Sequence, residues 1–434
     1  MQYSPARPMT GSKLRTALMG VGFLGLVGVA LLGLWWMAAM RTPEVTIPNP
    51  VMPNPNAFDF YVKAGNAILG AKDIGEAVSS KPKVAYSIAQ KEALIQQNAG
   101  AIGTLHQGFA YSYLNPPCRS LMTPFPYYAK FRGMARLLSL QGQVRAKQGD
   151  WSGTADSCLD TIQMGEEIPH GAVMIGALTG IACQAIGRRP LWIGIEHLNA
   201  AQSRTAITRL AHIMDKHRPY ADTVQEEKWA LQAGLLEIFN NPGLMKNVYK
   251  ADDPNEASRA KARSTVTYLT YSKSRIMNDF TAYMDALEAQ ARQPYSLHLP
   301  LPPTPTDPIN SMIIPEYEQA RLKHVDNETQ NGLLLVTLAL RAYQGEHGRY
   351  PASLAELTPA YLKKLPDDPF ALQGTFKYRV DGTSYVLYSV GPDGKDDGGT
   401  PINDPKKATD MNQNSRYYVE KNSIGDVVAG KNLW

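Results

Sequence analysis

The sequence contains few cysteines and lacks the short motifs that mark common catalytic sites. Its three cysteines, Cys118, Cys158 and Cys183, show neither a CxxC pair nor zinc-site spacing, which argues against a cysteine-based zinc domain. In an exported protein they could form one disulfide or remain as buried free thiols. No G-x-S-x-G, H-E-x-x-H or phosphate-binding glycine loop occurs, so the common hydrolase, metalloprotease and nucleotide-binding signatures are missing.

Strong charge of one sign is also missing. The 44 basic and 39 acidic residues give a formal net charge of +5 over 434 residues, and the basic residues are dispersed, which argues against a nucleic-acid partner. Among the eight histidines only His212 and His217 lie close together in sequence, and a spacing of five places them poorly on one helical face for metal binding. Glu226 and Glu227 predict a solvated helix face.

One long segment has no charge at all. Residues 16–40 contain no charged residue over 25 positions. As a helix this segment would be about 37 Å long, which is enough to cross a bilayer core of about 30 Å. The residues before it include three basic and no acidic side chains, Arg7, Lys13 and Arg15. By the positive-inside rule, residues 1–15 form a cytoplasmic tail and the chain from residue 41 onward is exported.

A cleaved signal peptide is the alternative interpretation of this segment, because residues 37–40 include small side chains suited to cleavage. The uncharged run is longer than the apolar region of a typical signal peptide, which has about 7 to 15 residues. We therefore predict a single-pass anchor in the inner membrane of a bacterium, with the bulk of the chain in the periplasm or outside the cell.

Two proline-rich stretches divide the remaining chain. Residues 41–56 predict an extended spacer next to the membrane, and residues 293–315 predict a linker between domains. Between them the sequence shows helical patterns without strand-like alternation, the last of which spans residues 255–292. We predict an all-α helical middle domain over residues 57–292 and a second domain over residues 316–434 that folds without it.

The C-terminal domain begins with a helix of unusual composition. Residues 333–342 are apolar except for Thr337 and Arg341, so we expect a helix buried on nearly all sides. Gly345 and Gly348 then predict its end.

A small antiparallel sheet is predicted next. Residues 376–380 alternate between apolar and basic side chains, and Asp381 with Gly382 forms a strong signal for a tight hairpin turn. The returning strand would cover residues 384–389. Residues 416–420 are a weaker strand candidate. Together with the preceding helix, these segments predict a C-terminal α+β domain.

An acidic, glycine-rich loop follows the hairpin at residues 391–404. It carries four aspartates and one lysine; the aspartates are Asp393, Asp396, Asp397 and Asp404. Such a density of carboxylates repels itself unless water or a hard cation such as calcium screens it. The match to an EF-hand loop is partial, because Lys395 stands where position 3 requires an oxygen. A calcium site and a solvated turn are both compatible with this composition.

A longer set of residues extends this pattern beyond the loop. In chain order it consists of Tyr343, Gly348, Tyr350, Pro351, Leu354, Leu357, Tyr361, Leu365, Pro366, Asp368, Pro369, Tyr378, Tyr388, Ser389, Gly391, Asp393, Gly394, Gly398, Gly399 and Asp404. The set resembles the globular head of the major pseudopilin of type II secretion systems, over about a fifth of the chain. The resemblance implies a helix packed on a small antiparallel sheet and calcium bound by aspartates and backbone carbonyls. It implies Asp393 and Asp404 as the best-matched ligands, with Asp396 and Asp397 next.

The N-terminal segment departs from that family. Pseudopilins carry a peptidase site in which Gly precedes Phe-Thr-Leu-Ile-Glu, and the same helix runs directly into the head domain. Here the nearest candidate is Gly22 followed by Phe23, Val27 occupies the glutamate position, and about 290 residues separate the apolar segment from the C-terminal helix. We therefore do not expect a polymerising pseudopilin.

These features predict a membrane-anchored, exported binding or structural protein rather than an enzyme. Its pilin-like C-terminal domain would be stabilised by calcium, and its partners would be the membrane, through residues 16–40, and a protein or other component of the cell envelope. One alternative is an exported hydrolase whose active site is assembled in the helical domain from residues distant in sequence. Another is an atypical accessory of type II secretion.

Overall fold

The computed structural model describes residues 11–79, 81–244, 256–408 and 413–432. The basic residue Arg7 and most of the predicted cytoplasmic tail lie outside the described residues. The described chain is mostly helical, with a small antiparallel sheet near the C-terminus. It divides into two compact units, one from residues 1–47, 232–283 and 304–314 and the other from residues 48–231, 284–303 and 315–434.

The helices and strands confirm the predicted layout in outline. In chain order the helices are α1 (Gly11–Met40), α2 (Ala57–Asn66), α3 (Ala71–Val78), α4 (Ile88–Gln97), α5 (Ala99–Gly108), α6 (Pro126–Lys147), α7 (Trp151–Glu167), α8 (Met174–Gly194), α9 (Ala200–Met214), α10 (Tyr220–Asn240), α11 (Glu256–Thr270), α12 (Lys273–Ala291), α13 (Asn310–Ile313) and α14 (Tyr317–His347). The strands are β1 (Lys377–Asp381), β2 (Ser384–Ser389) and β3 (Val427–Val428). The helix predicted over residues 255–292 is instead two helices, α11 and α12.

Helix α1 has the length and composition of a membrane-spanning helix. Its segment Leu18–Met40 has 23 residues and a mean hydropathy of 2.2. Large apolar side chains along it are exposed, including Leu24 at 70% and Leu31 at 60%. A free apolar helix of this kind suits a lipid environment. A signal sequence near an N-terminus shares these properties, so the permanence of the anchor stays a prediction.

The first unit is held together by a buried lysine and a buried asparagine. Lys273 Nζ donates a hydrogen bond of 2.7 Å to the carbonyl oxygen of Phe239 and lies 5.3 Å from the ring centroid of Tyr268. Asn310 Nδ2 donates to the carbonyl oxygen of Ile276 over 2.9 Å. These bonds connect α10, α12 and α13, and they give the Lys273 ammonium and the Asn310 amide nitrogen acceptors inside the fold.

The second unit contains two hydrophobic cores. One is built largely from α2, α5 and α6 and is rich in aromatic side chains; Tyr61, Leu105 and Phe131 within it are each at most 1% exposed. The other is built from α7, α8, α9, α14 and the sheet. Helix α14 therefore shares its core with the helical region as well as with the sheet. The independent folding of residues 316–434 stays a prediction.

Helix α14 ends where the sequence predicts, but it begins well before the apolar residues 333–342 from which it was predicted. Residues 333–342 are buried except for the half-buried Arg341. Gly348 has a φ of 71° and closes the helix, because a left-handed residue after the last turn is most easily supplied by glycine. The helix starts at Tyr317, so its first half contains polar residues that the apolar pattern did not include.

The sheet confirms the predicted hairpin and corrects the third strand. Strands β1 and β2 pair antiparallel from Lys377 opposite Tyr388 to Asp381 opposite Ser384. The strand predicted at residues 416–420 is wrong, since Gln413–Tyr417 is a 3₁₀ helix. Val427–Val428 pairs with the second edge of β2 instead, opposite Tyr388 and Ser389.

Helices α7 and α8 approach each other closely through two glycines. A Cβ atom on Gly180 would collide with the carbonyl oxygen of Gly165, and one on Gly165 would lie 2.7 Å from the carbonyl oxygen of Gly180. No side chain larger than hydrogen fits at either position without moving a backbone. This contact sets the spacing of the two helices that carry the polar cluster described below.

We expect Gly180→Ala to destabilise the protein by about 3 kcal/mol, at the upper end of the usual cost of overpacking. Gly103→Ala is the matched control, because Gly103 also lies inside a helix but a Cβ atom added there would have no neighbour within 4 Å. The control should stabilise the protein by about 0.5 to 1 kcal/mol. Chemical denaturation of both variants measures these effects, and equal behaviour would contradict the close approach.

Candidate functional site

The acidic loop folds as tightly as its glycines predict. Gly398 and Gly399 both have positive φ, at 67° and 85°, a pair of backbone conformations that other residues adopt at a cost. A Cβ on Gly399 would also lie 2.7 Å from a side-chain atom of Val386. The loop therefore returns against strand β2.

Three of the four predicted calcium ligands accept hydrogen bonds from nearby backbone N–H groups. Asp393 Oδ1 accepts from the N–H of Lys395 over 3.1 Å, and Asp404 Oδ1 accepts from the N–H of Lys406 over 3.1 Å. Asp396 Oδ1 accepts from a backbone N–H and also from the hydroxyl of Tyr388, over 2.9 Å. These short-range bonds stabilise turns whether or not a cation binds.

Asp397 takes part in the hydrogen bonding of the loop through its backbone rather than its carboxylate. Its carbonyl oxygen accepts from the hydroxyl of Thr400 over 2.8 Å. Among the described residues, the three side-chain ligand groups found within 4.8 Å of one another do not include any of the four aspartates. The structure thus places the four predicted ligands in one loop without bringing three of their carboxylates together. Calcium binding stays a prediction, and it depends on backbone carbonyls as well as carboxylates.

The loop is organised around an aspartate that the sequence did not reveal. Asp426 is fully buried, and its two carboxylate oxygens accept from the N–H of Gly399 over 2.7 Å and of Asp397 over 3.3 Å. Burial raises the pKa of Asp426 to about 6; the two N–H groups oppose this shift, and the charges of Asp396 and Asp397 add to it. It lies 22 positions beyond Asp404 in the sequence, so no local spacing connects it to the loop.

A second polar cluster lies inside the helical region of the same unit. Helix α7 ends in Glu166 and Glu167, each only 3% exposed. Two carboxylates at the negative end of a helix dipole are unfavourable unless other groups stabilise them. Glu167 accepts from the hydroxyl of Tyr61 and lies 3.4 Å from Lys216 Nζ. Burial raises the pKa of Glu167, while these two partners oppose the shift.

Glu166 belongs to a chain of buried hydrogen bonds that crosses to α14. Its Oε2 atom accepts from Gln184 Nε2 over 3.1 Å. Gln184 Oε1 in turn accepts from the side-chain amides of Asn327 and Asn331, over 3.1 and 2.7 Å. Arg188 completes the chain by donating to the amide oxygens of both asparagines over 2.7 Å each. Each side chain in this chain of bonds therefore has a polar partner, as burial requires.

His217 connects this chain to a further carboxylate. Its Nδ1 atom lies 2.6 Å from Glu166 Oε1, and its Nε2 atom lies 2.7 Å from Glu328 Oε1. Burial lowers the pKa of His217, but its hydrogen bond to Glu166 and the two adjacent carboxylates outweigh burial and raise it to about 10. His217 comes from the segment between α9 and α10, and Glu328 comes from α14.

His324 lies one helical turn before Glu328. Its Nε2 atom is 3.6 Å from Glu328 Oε1, and the His324 and His217 rings have centroids 5.0 Å apart. Burial raises the pKa of Glu328, but the two histidines outweigh burial and hold it well below its usual range. His324 and Glu328 line a pocket of about 520 Å³ that is also bordered by Arg321 and Asp368.

The sequence contained a partial signal for this cluster. The sequence spacing of His212 and His217 does not indicate this cluster, because the His217 ring lies beside that of His324 instead. The spacing of His324 and Glu328 by four residues places both on one helical face, and that spacing could have identified half of the cluster. The position of His217 depends on tertiary packing and has no counterpart in local sequence.

The predicted solvated face at Glu226 and Glu227 is wrong. Both residues are half-buried. Glu226 forms an ion pair with Arg119 over 3.4 Å, and Glu227 Oε2 accepts from the N–H of Met174 over 2.6 Å. Met174 is the first residue of α8, so Glu227 caps a helix from outside its own segment, where the helix dipole favours a negative charge.

We expect Asp426→Asn to remove a specific pH dependence of stability. The pKa of Asp426 rises from 3.8 to about 6 on folding, so the folded state binds more protons than the unfolded state between these values. Stability should therefore fall as the pH rises from about 4 to about 6, and the asparagine variant should lack this component. Denaturation in the presence of chelator, with the wild type measured beside the variant at each pH, isolates the effect. Identical pH profiles would contradict it.

We also expect Asp426→Ala to destabilise the metal-free protein more than Asp393→Ala. The first change leaves two N–H groups without their acceptor, at a cost of about 1 to 3 kcal/mol for each buried group. The second removes one turn bond at the surface and should change stability by about 0.5 kcal/mol or less. Chelator is present in both measurements, and a larger effect of Asp393→Ala would contradict the role given to Asp426.

No protein-family model matches the chain, and neither a curated protein nor a solved structure shows similarity to it. The resemblance to pseudopilin heads is therefore carried by the residues of the C-terminal region alone.

Proposed function

We propose that this chain is a single-pass, membrane-anchored and exported binding or structural protein, located in the inner membrane of a bacterium with its bulk in the periplasm. One observation carries the proposal. The apolar segment Leu18–Met40 presents exposed apolar side chains along a continuous helix, which favours a bilayer as its surroundings. Residues 42–53, which follow it, contain neither helix nor strand and suit a spacer.

The helical region offers a surface suited to binding. A pocket of about 290 Å³ is lined both by apolar or aromatic side chains, including Leu287, Leu299 and Tyr295, and by charged side chains. Among these, Lys421 and Glu318 form an ion pair of 2.5 Å. Binding surfaces likewise combine apolar and polar groups. This pocket supports an envelope protein or other envelope component as the partner.

The proposal includes calcium at the acidic loop of residues 391–404. The loop combines carboxylates with backbone carbonyls that glycines hold in a tight conformation, which is the ligand chemistry that calcium prefers. Asp393 and Asp404 are its expected side-chain ligands, with Asp396 and Asp397 as further candidates. A bound calcium would also screen the repulsion between these carboxylates and the buried Asp426. By resemblance, this part of the chain would act as a pseudopilin-like module.

A hydrolase is the second candidate, and one observation favours it. His324 and Glu328 line a pocket of about 520 Å³ beside Asp367 and Asp368. The first two residues lie on α14 and the two aspartates lie between α14 and β1, so the pocket joins groups that are distant in sequence, as an assembled active site requires. The described residues that line this pocket include no serine or cysteine, so the nucleophile of such an enzyme would be water.

We expect the full chain to remain in the membrane pellet after alkaline carbonate extraction, and protease added to intact spheroplasts should digest most of it. Replacing Val27 by Arg should weaken anchoring, because an arginine at the centre of a spanning helix costs about 2.5 to 3.5 kcal/mol. Val51→Arg, in the exposed spacer, is the matched control and should have no effect. A membrane anchor is retained in the mature protein, whereas cleavage of a signal peptide would remove residues 1–40. The mass of the mature protein therefore distinguishes the two N-terminal interpretations.

We expect calcium to raise the thermal unfolding midpoint of the full chain. A ligand that binds only the folded state stabilises it by about 2.7 kcal/mol at a hundredfold excess over Kd. Magnesium should substitute poorly, because it requires a smaller and more regular coordination shell. Asp393→Ala should remove most of the calcium effect, and Asp396→Ala should remove less. If the midpoint is the same in millimolar calcium and in chelator, calcium binding is contradicted and the loop is a solvated turn.

A further inference from the structure

Three side chains from two separate elements converge inside the helical region. His217 follows α9, whereas His324 and Glu328 lie one turn apart on α14. One ligand atom from each residue lies within 4.8 Å of the other two. The Nε2 atoms of His217 and His324 are 2.7 and 3.6 Å from the same carboxylate oxygen, Glu328 Oε1. The two imidazoles and the carboxylate thus approach one common point.

The two imidazole nitrogens that reach this point have no hydrogen-bond partner. Nε2 of His217 and Nε2 of His324 are both inaccessible to solvent and lack a hydrogen bond within the described chain. His324 as a whole is only 8% exposed. The contact of His217 with Glu328 is short, yet it does not have the alignment of a hydrogen bond. Buried nitrogen atoms without partners are uncommon in folded proteins, and a bound ion is one of the groups that can satisfy them.

We propose that His217, His324 and Glu328 bind a zinc ion, with a fourth coordination position open toward the adjacent pocket. Zinc binds imidazole nitrogen and carboxylate oxygen at about 2.0 to 2.2 Å, so neighbouring ligand atoms of a tetrahedral site are about 3.3 Å apart. The two observed separations, 2.7 and 3.6 Å, lie on either side of this value.

The surroundings of His217 support a metal ligand. Its Nδ1 atom faces Glu166 Oε1 at 2.6 Å, and Glu166 is itself held by Gln184. A carboxylate on the second ring nitrogen is the usual support of a metal-binding histidine, because it fixes the ring and directs the other nitrogen to the metal. Glu166 would therefore be a positioning residue rather than a ligand. The charges also match once the metal displaces the proton of His217, because two carboxylates around neutral histidines balance one divalent cation.

The choice of zinc follows from the donor set. Two imidazoles and one carboxylate suit zinc and other first-row transition metals, whereas calcium requires oxygen ligands. The site is therefore distinct in chemistry from the acidic loop. Sites with three protein ligands leave a position for water or substrate. Here His324 and Glu328 also line the pocket of about 520 Å³, so the open position would face a space that a small molecule can enter.

The test uses the full chain in detergent, stripped of metal by chelator and titrated with zinc in a calorimeter. We expect one zinc per chain. Glu328→Gln, which preserves the volume of the side chain, should weaken binding at least a hundredfold, and His324→Ala should abolish it. Glu166→Gln should weaken binding by about 10- to 100-fold with unchanged stoichiometry. His212→Ala is the matched control, because His212 is exposed on α9, and its affinity should equal that of the wild type.

Cobalt provides a readout that a purely structural role would not change. Substitution of zinc by cobalt should give the visible absorption of a four-coordinate ion, and this absorption should be lost in Glu328→Gln. Asp393→Ala should retain both zinc affinity and the cobalt spectrum, so a failure of calcium binding and a failure of zinc binding are distinguishable. Absence of saturable zinc binding, or full affinity in folded Glu328→Gln, would overturn the proposal and leave an ion pair between His217 and its two carboxylates.

Discussion

The packing of helix α14 depends on a buried chain of hydrogen bonds that crosses from α8. Arg188 is 4% exposed, and it donates to the side-chain amides of Asn327 and Asn331. A buried guanidinium with incomplete partners would be strongly destabilising, and loss of one member of such a network leaves the others uncompensated. A rotation of α14 by one residue would separate both asparagines from Gln184 and Arg188. The chain of bonds therefore fixes the register of α14 in a way that apolar packing alone would not.

This constraint divides α14 into two halves with different roles. The second half, residues 333–342, is buried by its apolar side chains and forms the core beneath the sheet. The first half is buried although it carries His324, Asp326, Asn327 and Asn331. Burial of the two asparagines is favourable because Gln184 and Arg188 of α8 supply matching donors and acceptors, and Asp326 accepts from Gln330 of α14 itself. The glycine contact between Gly165 and Gly180 in turn holds α7 and α8 at the distance that the chain of bonds requires.

Sequence patterns predicted the elements whose signals are local. The uncharged run of residues 16–40, the hairpin turn near Gly382 and the end of α14 at Gly348 each depend on a few adjacent residues. The features that sequence patterns predicted wrongly or missed have a common cause, which is that tertiary packing decides them. Residues 416–420 have strand-like composition, but the edge of β2 that they would need is taken by Val427–Val428. Asp426 reaches the acidic loop, and His217 reaches α14, only through tertiary packing.

The polar half of α14 is the part of the chain where local rules and the fold disagree most. An amphipathic pattern would place His324, Asp326 and Asn327 in solvent, yet all three are at most 8% exposed. Such disagreements concentrate where a protein binds or reacts, because stability alone would favour apolar replacements. The acidic loop breaks no comparable rule, since its aspartates form ordinary turns at the surface. The resemblance to pseudopilin heads begins at Tyr343 and does not include the first half of α14. The first half of α14 is therefore the part of the helix on which the proposed metal site depends, and it lies outside the stretch that carries the resemblance.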